Sequence, residues 1–91
     1  MDDTLLALTL LLRQHDEPLW ADSCEVLAAA AADAATAGER SDVARAVLRL
    51  YQQGMGGFHD VVLHDDGKVA PDQSRFDSLR SELFLQARQQ L

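Results

Sequence analysis

Residues 2–12 read Asp2-Asp3-Thr4-Leu5-Leu6-Ala7-Leu8-Thr9-Leu10-Leu11-Leu12, and this stretch decides the fold class. Leu5, Leu8 and Leu12 recur at i, i+3 and i+7, the spacing of one helix face. Leu6, Leu10 and Leu11 wrap round the rest, so the helix is apolar on nearly every side. Such a helix is central to its domain or shared with another chain. Asp2, Asp3 and Thr4 offer capping oxygens and negative charge where a helix N-terminus is electropositive. The run from Leu5 to Leu12 is far shorter than the roughly 20 residues of a membrane span. Two aspartates precede it where a signal peptide would carry Lys or Arg.

Working outward, three more helices follow. Pro18 suits the first turn of the second, which is expected to run to about Ala37 with Gly38 as its stop. Trp20, Leu27, Ala31 and Ala34 are its expected buried stripe, and the alanines between Ala28 and Ala35 permit close approach of a neighbour. Ser41 and Asp42 are expected to cap a third helix carrying Val43, Val47, Leu50 and Tyr51 on one face and ending at Gly54. The fourth is expected to begin around Asp72, just after Pro71, with Phe76, Leu79, Leu83 and Ala87 as its apolar stripe and Phe84 beside it.

One segment breaks the helical pattern. Gly54-Met55-Gly56-Gly57 reads as a flexible loop, and Phe58 is its large hydrophobic anchor. Val61-Val62-Leu63, a turn at Asp65-Asp66-Gly67, and Lys68-Val69-Ala70 suggest a small hairpin that must pack on the helices to persist. The expectation is a mainly α, four-helix domain spanning residues 1–91, with a short hairpin or loop insertion between helices 3 and 4.

Composition narrows the function classes. Eight Lys and Arg stand against fifteen Asp and Glu, a net charge of −7, which disfavours nucleic-acid binding. The apolar fraction of 47% is too high for a disordered acidic tail. Cys24 is the single cysteine, so no internal disulfide forms, and a reducing, cytoplasmic setting is expected. Seven arginines against one lysine, with 14 alanines, hint at a GC-rich bacterial source. Residues 1–66 hold twelve acidic and four basic side chains, a net of −8, whereas residues 67–91 net +1. Such a bias either keeps a small protein soluble or complements a basic protein partner.

Catalytic and metal chemistries fit this pattern poorly. His59, Asp60, His64, Asp65 and Asp66 are all metal-capable. On a strand, however, the two histidines point to opposite faces, and on a helix they lie about 140° apart. A calcium loop with Gly67 at its sixth position would require acidic residues at Val62 and Gln73. The glycines at 54–57 lack the following Lys-Ser or Lys-Thr of a phosphate loop. Cys24 in an alanine-rich helix behaves as a small buried hydrophobe rather than a nucleophile paired with His15. No metal, no cofactor and no enzymatic activity are expected.

The stretch Leu50-Tyr51-Gln52-Gln53-Gly54-Met55-Gly56-Gly57-Phe58-His59-Asp60-Val61-Val62-Leu63 resembles a recurring segment in a family of small uncharacterised bacterial proteins. The shared elements are Gly54-Met55-Gly56 and Phe58-x-Asp60; Gln53, Gly57 and His59 replace that family's usual glycine, serine and asparagine. The resemblance implies no activity. From charge and size, the expected role is binding, with an immunity protein that occludes the active site of a secreted bacterial toxin as the leading class. His59, Asp60, His64, Asp65 and Asp66 would form the acidic plug, extended by Glu39 and Asp42, against a basic protein partner. A small adaptor or regulatory domain, and a homodimer through the first helix, are the rival expectations.

Overall fold

Helix α1 (Asp2–Gln14) buries Leu5, Leu8 and Leu12 completely and Leu11 almost so. The computed structural model describes residues 1–52 and 57–91. After α1 come α2 (Pro18–Asp33), α3 (Ala37–Tyr51), a 3-10 turn (Phe58–Asp60), strands β1 (His64–Asp65) and β2 (Lys68–Val69), and α4 (Gln73–Gln89). Each helix packs on the next in sequence and α4 returns against α1, so the four form a ring around one core. The short connections after α1 and α2 favour antiparallel neighbours, whereas α3 and α4 are joined through the longer segment that carries the hairpin. The mainly α, four-helix architecture with a small hairpin between α3 and α4 is therefore as expected.

Three helix boundaries differ from expectation. No side chain caps α1: Met1 is its N-cap, Asp2 and Asp3 lie in the first turn, and Thr4 is buried. The aspartates thus act through charge on the helix dipole instead of through a cap hydrogen bond. Helix α2 ends at Asp33, four residues earlier than expected, and Ala34 is already extended. Thr36 then caps α3, its hydroxyl accepting from the Glu39 N–H at 3.1 Å. This is half of the reciprocal Thr-x-x-Glu pattern that opens helices. Ser41 and Asp42 consequently lie inside α3, and Gly38 in its first turn.

The buried stripe of α2 is Ala21, Cys24 and Ala28, with Trp20, Leu27 and Ala31 packed at its margin. Small residues at the centre let α1 approach, while the larger Trp20 and Leu27 close the flank. Leu6 and Leu10 of α1 remain 49% and 70% exposed. On α3 the expected face holds: Val43, Val47 and Leu50 are buried alongside Ala44. Tyr51 ends α3 and Gln52 is its C-cap. Gly54, expected as the stop, and the Gly-Met-Gly loop lie outside the described residues. On α4, Phe76, Leu83 and Ala87 are fully buried, and Leu79 packs against the core. Among the described residues, no helix is long and apolar enough to cross a membrane.

Candidate partner-binding surface

The hairpin is real but shorter than its sequence suggests. His64 pairs with Val69 and Asp65 with Lys68, joined by Asp66 and Gly67. Both turn residues have positive φ, 53° and 77°, as a two-residue type I′ turn requires; Asp tolerates this conformation and Gly adopts it freely. Val61, Val62 and Leu63 stay outside the strand because their partners run out. The Ala70 N–H still donates to the Leu63 carbonyl at 2.8 Å, extending the pairing by one bond. Alternation sets the faces: Val61, Leu63 and Ala70 are buried, whereas Val62, His64 and Val69 are exposed.

What fixes the ribbon is its root. Phe58 is fully buried, with ring centroids 5.3 Å from Trp20, 5.4 Å from Tyr51 and 6.0 Å from Phe76. Tyr51 in turn meets Phe84 at 5.2 Å, so every aromatic ring of the chain joins one network. Arg80 of α4 donates to the Phe58 carbonyl at 2.7 Å, pairs with Asp77, and lays its guanidinium 4.4 Å from the Phe76 ring centroid. Gln73 accepts the Leu63 N–H at 2.7 Å, and the Tyr51 hydroxyl donates to the Arg80 carbonyl at 2.7 Å. Arg80 and Gln73 are positioning residues that sequence reading missed, whereas Trp20 and Tyr51 were expected on helix faces but not as contacts of Phe58. The signal of Arg80 and Gln73 is weak in one dimension, because each lies ten or more residues from the Phe58 carbonyl or Leu63 N–H that it holds.

Five of the seven expected partner-binding residues lie on this connection, His59 and Asp60 on the 3-10 turn and His64, Asp65 and Asp66 on the hairpin. His59, Asp60, His64, Asp65 and Asp66 are all exposed, with His59 Nε2 3.6 Å from Asp60 Oδ1. Glu39 and Asp42 are not brought to them. They lie in the first two turns of α3, beside Asp33 and Ala34, whereas Phe58 meets that helix at its last residue, Tyr51. Asp42 and Tyr51 are separated by about 13 Å of helix rise. Asp42 has a local partner, Arg45, at 3.5 Å.

Other titratable groups serve the core. His15 Nε2 lies 3.2 Å from Asp72 Oδ2, tying the end of α1 to the start of α4, and is not paired with Cys24. Burial pushes the Cys24 thiol up to about 12 and raises Tyr51 above its usual value, chiefly by desolvation with Cys24 adding to it. A thiol held protonated is a poor nucleophile. Among the described residues, no three His, Cys, Asp or Glu side chains converge as a metal site.

Comparison with known proteins places this geometry in a family. Residues 13–70 match the family described as Domain of unknown function (DUF6966). The chain belongs to that family. The matched region runs from the end of α1 to the residue after β2, and so includes the root and the hairpin while stopping short of α4. No match was found among curated proteins or among solved structures.

Proposed function

We propose that this DUF6966 protein is a non-catalytic binding protein of bacterial origin, an immunity protein that neutralises a toxin by entering its basic active-site cleft. The observation that carries the reading is the ribbon: exposed His64, Asp65 and Asp66 at its tip, held on a buried aromatic root whose 3-10 turn also carries exposed His59 and Asp60. Such a tip presents negative charge without the entropic cost of ordering a loose loop on binding. Nucleases and nucleotide-attacking toxins have cationic clefts, toward which an acidic surface is steered. The chain does no chemistry in this reading; it occludes.

The direct test is to identify the gene upstream of its own and, where that encodes a secreted protein with a variable C-terminal domain, to co-express the two. Protection of cells is the expected result, and failure to protect overturns the proposal. Exposure of Leu6 and Leu10 supports a second reading, self-association through α1. Sedimentation equilibrium decides it: a dimer that Leu10→Glu dissociates favours that reading, and a monomer at all concentrations removes it.

A further inference from the structure

The outer groove between α3 and α4 has a chemistry opposite to that of the ribbon. A cavity of about 660 Å³ lies over Tyr51, Phe84 and Leu85. It shares Tyr51 and Phe84 with a second cavity of about 360 Å³ that extends over Leu48 to Leu91. That one adjoins a third, about 330 Å³, which reaches Arg45 and Arg49. Among the described residues, the three adjoin along α4 from Asp77 to Arg88, about 16 Å or three helical turns.

The borders of the groove are cationic in a chain of net charge −7. Arg49 has no ion pair among the described residues, and neither does Arg88, whose guanidinium stands 5.8 Å from the Phe84 ring centroid. Arg45 has one, the exposed contact with Asp42, a kind of pair worth little to stability. The acidic residue lining these cavities, Asp77, is already neutralised by Arg80. Arginines without an ion pair, beside half-buried Tyr51 and Phe84 and exposed Leu85 and Leu91, suit carboxylates, which the planar guanidinium engages through two hydrogen bonds. A groove between two helices suits a third helix whose apolar side chains recur at i, i+3, i+4 and i+7.

We propose that the α3/α4 groove docks an acidic amphipathic helix of a protein partner. Its apolar face would cover Leu48, Tyr51 and Phe84, and its carboxylates would meet Arg45, Arg49 and Arg88. This surface meets the connection to the ribbon at His59, which lines its first cavity, but its arginines call for a partner of opposite charge to the one the acidic tip would meet.

Titration calorimetry with designed helical peptides about four turns long tests it. One has leucine at the helical spacing and glutamate elsewhere, one has lysine for glutamate, and one scrambles the leucines. The acidic amphipathic peptide alone should bind, one per chain, more weakly as salt rises. Arg49→Glu with Arg88→Glu should weaken it at least about tenfold, one decade of Kd, and Phe84→Ala should weaken it without changing the helical circular dichroism. Equal binding of the lysine or scrambled peptide, indifference to the arginine reversals, or no saturable binding up to about millimolar peptide each overturns the proposal. So does a chain that dimerises through Phe84 and Leu85 in place of taking the peptide.

Discussion

The connection between α3 and α4 contains two regions built on different principles. From Gly57 to Leu63 the chain is held from outside itself: Phe58 among three rings, its carbonyl on Arg80, and the Leu63 N–H on Gln73. From His64 to Val69 every residue is exposed, and the ribbon is held by its own short ladder. Two strands of two residues are not stable alone, so the tip inherits its position from the root. Stability is thereby concentrated in residues that face inward, which leaves the tip's outward side chains free to be set by a partner.

The contrast can be broken most severely at Phe58. Phe58→Ala should cost about 3–5 kcal/mol, read by urea denaturation followed by circular dichroism, because a fully buried ring with three aromatic neighbours leaves a cavity that α4 cannot fill. Alkali attacks the surrounding core without mutation, through Cys24 of α2. The unfolded Cys24 thiol ionises near 9 and the folded one near 12, so the folded state holds the proton longer. Stability from this group is complete below pH 9 and declines as pH rises toward 12, by about 2–3 kcal/mol at pH 11. Tyr51 shifts in the same direction and adds its loss at higher pH. Urea midpoints measured from pH 8 to 10 should fall in the wild type and stay nearly level in Cys24→Ala.

Arg80→Leu comes next, at about 2–3 kcal/mol, since it strips the Phe58 carbonyl of its donor and leaves Asp77 with the Gln73 amide but without its ion pair. An unchanged urea midpoint would show that the root rests on the rings alone. At the tip the effects shrink. Gly67→Ala meets open space but a φ of +77°, and should cost about 1 kcal/mol. Hydrogen exchange should quicken at Ala70, whose N–H donates to the Leu63 carbonyl, while the α1 amides keep their protection. Asp65→Lys with Asp66→Asn, the second chosen because asparagine tolerates the turn's φ, should move stability by no more than about 0.5 kcal/mol. In a toxin complex the pair should slow association, most visibly at low salt; an unaltered on-rate would place the contact elsewhere.

Legibility in the sequence followed the range of the interaction. Leu5, Leu8 and Leu12 declare a helix face because their partners lie within two turns, and Pro71-Asp72 marks the start of α4 for the same reason. The α2/α3 boundary was obscured by alanine, which favours helix on both sides of the break and carries no stop signal. Thr36-Ala37-Gly38-Glu39 was the local signal, and it outweighs Gly38 as a terminator. The same composition displaced the buried stripe of α2 toward Ala21, Cys24 and Ala28, because a run of identical small residues has no phase. At the surface, Phe58 was legible as an anchor, being the large apolar residue beside a glycine-rich loop. Arg80 and Gln73 were not, since nothing on α4 announces which distant carbonyl or amide it will serve. Grouping Glu39 and Asp42 with the ribbon failed through length: they and the ribbon lie toward opposite ends of α3.

The aromatic network also gives the molecule a built-in optical readout. Trp20 is the single tryptophan, and its ring lies against Phe58. Its emission maximum and quenching by acrylamide therefore report on one event, the seating of the ribbon's root, with no dye and no engineered probe. Release of Phe58 would shift that emission to the red while the helices still absorb as helices. Changes confined to Asp65, Asp66 or Gly67 would leave it dark to the observer.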